Sequence, residues 1–208
     1  MMKRFIGLFV VTLIFASQSF AFVLDAPNTR GAGKMSLGLD MGYVPAQNGG
    51  TSTYTSYGLT GTYGLNNKMD IAVLLNQGSS SSAGSSTSTN IYLGCNWMAM
   101  DEGVDPVSLA VQVTLKRNIA ESVGSVSTDM PLFVYVQAGK RYGSWLPFAG
   151  AGYNYIIGTG ASYLGADLGA QYDINNGLTA RFEGNYFFSY STGSSNSYTF
   201  TGQMTYSL

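Results

Sequence analysis

The sequence predicts an all-β chain closed into an antiparallel up-and-down barrel of about ten strands, with eight as the alternative count. Three observations predict it. Apolar and polar residues alternate over long segments, the connections alternate between short and long, and charge is confined to one face of the alternation. Alternation is a strand signal because successive side chains point to opposite faces of a sheet.

The 208 residues suit one domain. Only 10% are charged, while 27 are Gly and 15 are Tyr. A soluble surface carries roughly a quarter charged residues, and a disordered chain lacks this aromatic content. Mean hydropathy is +0.09, which suits strands whose apolar residues alternate with polar ones. Residues 1–21 read as a secretory signal peptide: Lys3 and Arg4, an apolar run from Phe5 to Ala16, then Ser19-Phe20-Ala21 with cleavage after Ala21. The apolar run is shorter than the ~20 residues of a spanning helix. No later run is long enough either, so any crossing must be made by strands. Loss of the leader takes the formal charge from −1 to −3, eight basic residues against eleven acidic. No basic block is present, so nucleic acid is not a partner. Cys95 is the one cysteine and forms no internal disulfide. Residues 22–32 form an N-terminal periplasmic segment before the barrel at 33–208. Phe22–Ala32 reads as a loose tail, or alternatively as a partial plug of the periplasmic mouth.

Ten segments follow in order. Lys34–Tyr43 sets Met35, Leu37, Leu39, Met41 and Tyr43 against Ser36, Gly38, Asp40 and Gly42. Tyr54–Leu65 sets Tyr57, Leu59, Tyr63 and Leu65 against Ser, Gly and Thr. Met69–Asn76 opposes Ile71, Val73 and Leu75 to Asp70, Ala72 and Asn76. Thr89–Met98 aligns Ile91, Leu93, Cys95 and Trp97. Val107–Lys116 aligns five aliphatics against Ser108, Gln112, Thr114 and Lys116. Leu132–Tyr142 and Leu146–Ile157 are apolar or small on both faces, and their facing stays open. Tyr163–Tyr172 sets Leu164 and Leu168 against Asp167 and Gln171. Leu178–Phe188 sets Phe182, Tyr186 and Phe188 against Arg181, Glu183 and Asn185. Tyr198–Leu208 sets Phe200, Met204, Tyr206 and Leu208 against Thr199, Thr201 and Gln203.

Connections at Leu65–Lys68, Met100–Pro106, Gly143–Trp145 and Asp173–Gly177 are turn-like. Those at Pro45–Thr53, Gly78–Ser88, Asn118–Met130, Gly158–Ser162 and Ser189–Ser197 are mostly longer and rich in Ser, Thr and Gly. Transmembrane barrels have short periplasmic turns and longer external loops. The apolar face of the eight clearly read segments carries no ionised side chain, as lipid requires. A charge facing lipid at the midplane costs roughly 2–4 kcal/mol. Aromatics cluster at segment ends: Tyr43, Tyr57, Tyr186, Phe188 and Tyr198 externally, Tyr63, Trp97, Tyr172 and Tyr206 at the periplasmic side. Such belts suit the membrane interfaces.

With the leader, the alternating strands and the ending Met204-Thr205-Tyr206-Ser207-Leu208, the chain resembles small bacterial outer-membrane β-barrel proteins of the porin-like, OmpA/OmpX type. The ending is similar to that group's C-terminal assembly signal, with Leu208 where the family usually has Phe. The resemblance implies an outer-membrane location, lipid as the surrounding partner, and recognition of the C-terminal strand by the assembly machinery. It names no external partner.

No histidine is present, which removes the commonest general base and metal ligand. No catalytic, cofactor or metal motif appears. The chain therefore reads as a non-enzyme. The remaining candidates are inward charges: Asp40, Asp70, Lys116, Arg141, Asp167, Arg181 and Glu183. A turn centred near Asn175 puts Asp167 opposite Glu183, with Arg181 placed to bridge both. Inward glycines (Gly38, Gly42, Gly58, Gly64, Gly94, Gly165, Gly169) leave room for a thin water path. Two readings follow: a structural or surface-interaction barrel with a narrow, largely filled lumen, or a small diffusion channel for ions or polar solutes. Adhesion through the loops ranks below both, because Gly78–Ser88 is flexible and poor in aromatics.

Overall fold

The computed structural model describes residues 26–46, 52–81, 86–122, 125–175, 177–189 and 196–208. The leader and its cleavage site lie outside the described residues. Ten strands follow in order: β1 Met35–Val44, β2 Tyr54–Asn66, β3 Met69–Ser80, β4 Thr87–Met100, β5 Ser108–Ser122, β6 Ser125–Gly139, β7 Trp145–Ile157, β8 Ser162–Asn175, β9 Leu178–Ser189 and β10 Ser197–Ser207. Each pairs antiparallel with its sequence neighbours, and β1 pairs with β10 to close the barrel. Closure leaves no edge strand unpaired, which hydrocarbon demands of any backbone within it.

The alternation read from sequence sets the two faces. Outward Leu37, Leu39, Leu59, Leu75, Leu93 and Leu168 are all more than half exposed, while inward Asp40, Asp70, Thr114, Gln112 and Asn185 are buried. Soluble proteins bury the first set and expose the second. The segments whose facing stayed open are now assigned. On β6, Val134 and Val136 point out and Phe133, Tyr135 and Gln137 point in. On β7, Trp145, Tyr153 and Tyr155 point out, with Leu146, Phe148 and Asn154 in.

Three expectations need correction. The predicted loop Asn118–Met130 is largely strand, since the β5–β6 ladder continues from Asn118↔Asp129 to Ser122↔Ser125. Its Ser-, Thr- and β-branched-rich sequence can extend as well as loop. The β5–β6 ladder is interrupted at Pro131, which has no N–H to donate. Second, the β8–β9 register differs by two residues. Asn175 pairs with Leu178, which closes the turn, with Gly177 at φ 102°. A bulge between Asp173 and Asn175 absorbs the odd residue. Asp167 therefore stands opposite Asn185, and Glu183 opposite Gly169. Third, β6 ends at Gly139, so Arg141 belongs to the β6–β7 turn rather than to the inner wall.

The described part of the N-terminal segment is not a loose tail. Ala26 is fully buried against Leu146 and Phe148. Asn96 Nδ2 donates to the Asn28 carbonyl at 2.8 Å, and the Arg30 N–H donates to Asp70 Oδ2 at 2.9 Å. Residues 26–33 thus lie across the short-turn mouth, where backbone groups of the strap find partners on the inner wall.

Candidate functional site in the barrel interior

The inner wall combines polar residues with large rings, and its glycines explain how both fit. Tyr135 on β6 lies across β7 and β8. A Cβ at Gly152 would fall 2.5 Å from its Cδ2, and one at Gly165 would fall 2.7 Å from its Cζ. Phe148 lies similarly over Gly169. Gly150 leaves the gap through which Gln137 of β6 reaches Asp167 of β8. At three of the inward glycines the space is already filled. Where Gly58, Gly165 and Gly169 leave space, Leu74, Tyr135 and Phe148 occupy it.

Mid-lumen, Arg181 and Glu183 form an ion pair, each 5% exposed. The Arg181 guanidinium also stacks 4.8 Å from the Phe148 ring centroid. Asp167 is held by a relay across three strands: Gln112 Nε2 donates to Gln137 Oε1 at 2.8 Å, and Gln137 Nε2 donates to Asp167 Oδ2 at 2.5 Å. The three charges expected together are thus neighbours, but the bridge from Arg181 runs to Glu183. Asn154 Nδ2 donates to the Tyr135 hydroxyl at 3.2 Å above them.

The other predicted charges are dispersed. Asp40 accepts from Thr60 Oγ1 and, at 2.9 Å, from Gln203 Nε2, which ties β1 to both of its neighbours. Asp70 meets the strap. Lys116 lies over the Tyr92 ring at 5.4 Å. Arg141 sits at the short-turn rim, paired with Asp173 and a third exposed. Its N–H donates to Glu102 Oε2 at 2.7 Å. A cavity of about 470 Å³ opens at this rim, lined by Asn28, Met98, Glu102, Ser108, Arg141 and Leu146. Among the described residues no group of three or more His, Cys, Asp or Glu is placed to hold a metal.

Sequence reasoning missed Gln112, Gln137, Tyr135, Phe148 and Asp173. A signal for β6 and β7 existed. Gln137 and Asn154 are the strongly polar residues of 132–139 and 146–157, and their parity alone fixes which face is inward. The same parity adds Trp145, Tyr153 and Tyr155 to the outward aromatics. Trp145 packs on Tyr172 with centroids 4.7 Å apart, and Tyr186 meets Phe188 edge-on at 4.6 Å. Tyr57, Tyr63, Trp97, Tyr198 and Tyr206 are exposed outward; Tyr43 is half-buried.

A closed sheet with lipophilic walls and a buried polar interior is a barrel turned inside out for a bilayer. The fold is that of bacterial outer-membrane β-barrels. Among solved structures, the chain is similar to the COG4313 outer-membrane channel from Pseudomonas putida F1, with TM-score 0.56 and 9% identity over 89% of this chain and all of that one. It is also similar to the translocator domain of the autotransporter NalP from Neisseria meningitidis, with TM-score 0.50 and 13% identity over 86% and 90%. The N-terminal barrel domain of Pseudomonas aeruginosa OprF gives TM-score 0.44 and 11% identity over 86% and 100%. No family model and no curated protein matches. Wall chemistry and fold together place this barrel in the bacterial outer membrane.

Proposed function

We propose that the protein is a non-enzymatic outer-membrane barrel with a sealed lumen, whose role is structural or is exercised through its external surface. The observation that carries this reading is the burial of the lumen charges. Asp40, Asp70, Lys116, Asp167, Arg181 and Glu183 are each at most 6% exposed. An ion path needs water along its charged lining. Here side chains fill that space instead, as barrels of about eight strands permit and those of 16–18 do not. Interlocked rings and glycines make the wall stiff, and the paired charges cross-link it. A chain without histidine offers no ordinary general base, which supports a non-enzymatic role.

Lipid is the partner of the outer wall. The C-terminal strand, with Tyr206 and Leu208 exposed outward, is the segment offered to the assembly machinery before it closes against β1. The alternative reading, a small diffusion channel, draws on the P. putida channel of similar fold and on the cavity at the short-turn rim. Planar-bilayer recording on the refolded full chain separates the two. The sealed barrel gives no steady conductance. A stable, ion-selective conductance refutes the sealed lumen and restores the channel.

A further inference from the structure

Beside the mid-lumen ion pair stands a row of polar groups that the protein leaves unmet. Asp167 on β8 pairs with Asn185 on β9, which pairs with Thr199 on β10, so all three face inward at one level. Glu183 is the next inward residue on β9. All four are at least 95% buried. Asp167 Oδ1, Asn185 Oδ1 and Thr199 Oγ1 have no hydrogen-bond partner within the protein, and the Glu183 carboxylate has the Asn185 side chain as a neighbour besides Arg181. Buried polar atoms are costly without partners, and those unmet by protein are met by water or an ion.

The surroundings say which. Toward the loops, the row is capped by the buried cluster Phe133, Tyr135 and Phe187, Phe187 being the next inward residue after Asn185. Toward the short turns, it is closed by Phe148 with Arg181 stacked on it. Between these layers two carboxylates share one guanidinium, since Arg181 pairs with Glu183 and its charge also acts on Asp167. With both carboxylates ionised, one negative charge is left between these layers. More widely, the described buried charges are four carboxylates against two cations. Water would satisfy the hydrogen-bonding groups but not that charge. The available donors are hard oxygens, which select alkali and alkaline-earth ions over transition metals. A single positive charge balances the row, whereas a double one overshoots.

We propose that this row binds one alkali-metal cation, held by Glu183 Oε1, Asn185 Oδ1 and Thr199 Oγ1, with Asp167 supplying the second carboxylate charge. The inference rests on the sealed lumen, because an open one would hydrate the row and screen it. The cation acts as a structural ion: it ties inward side chains of β8, β9 and β10 together beside the backbone ladders that already join these strands.

The test uses the full chain refolded in detergent micelles, with unfolding followed in sodium, potassium or choline chloride at equal ionic strength. At about ten times its dissociation constant, a bound ion lowers the unfolding constant about tenfold, so sodium or potassium should do so relative to choline. Thr199→Val and Asn185→Leu should fold in choline and lose that difference. Should either fail to fold, crystals of the unmutated protein grown with thallium(I) provide the second readout, an anomalous peak at the row. Unfolding indifferent to cation identity, with no thallium peak, overturns the cation site while a silent bilayer leaves the sealed barrel standing. Steady bilayer conductance overturns the sealed lumen itself, and the inference with it.

Discussion

Gly165→Ala is the sharpest test of how the interior is packed. A Cβ there would overlap the Tyr135 hydroxyl and lie 2.7 Å from Cζ. Ordinary contact begins near 3.4 Å, so Cζ must retreat by about 0.7 Å and the hydroxyl by more. The ring has little room to do so. It is fully buried, and its other edge rests on Gly152. Overpacking of this kind costs about 1–3 kcal/mol. The retreat also loosens the 3.2 Å bond from Asn154, for roughly 1 kcal/mol more. The expected loss is about 2–4 kcal/mol, read as a lower urea midpoint by the heat-modifiable gel shift of refolded protein. Tyr135→Phe removes the overlapping oxygen, so the double variant should recover part of the loss, with a coupling of about 1–2 kcal/mol. A Gly165→Ala midpoint unchanged within about 0.5 kcal/mol, or strictly additive variants, refutes the interlock.

Arg181→Ala leaves Glu183 buried without its cation and should destabilise by about 3–5 kcal/mol. The same urea series measures it, and a loss under about 1 kcal/mol contradicts the buried pair. Leu168, opposite Ala149 and Gly184 on the outer wall, is 71% exposed. Leu168→Arg should cost about 2–4 kcal/mol on refolding into lipid vesicles if it faces the midplane, and equal yields would argue that this wall does not face hydrocarbon. Ala26→Asp puts a charge between Leu146 and Phe148. It should release the strap and speed trypsin cleavage after Arg30 severalfold, whereas an unchanged rate contradicts the docked strap.

The packed inner rings change what an inner-wall glycine means. Lack of a side chain is not lack of matter, because neighbouring rings on a tightly curved wall converge on the space. At Gly58, Gly165 and Gly169, inward glycines therefore mark filled space. Ala26 makes the same point at the rim, where a short apolar residue outside the strands finds a buried seat that no local pattern announces.

What the sequence determined alone is the set of faces. Parity is a local property, so Leu37, Leu59 and Leu168 were assignable outward, and Asp40, Asp70, Asp167 and Glu183 inward, without knowing any partner. The strand count followed from turn chemistry on the same local terms. What only the tertiary structure decided is who meets whom across the lumen. A turn closed by Asn175 and Leu178, with a bulge at Asp173/Asn175, set Asp167 opposite Asn185 instead of Glu183, and Gln137 reaches Asp167 past Gly150. Contacts between strands depend on register and curvature summed around the whole barrel, and no window of sequence carries that sum.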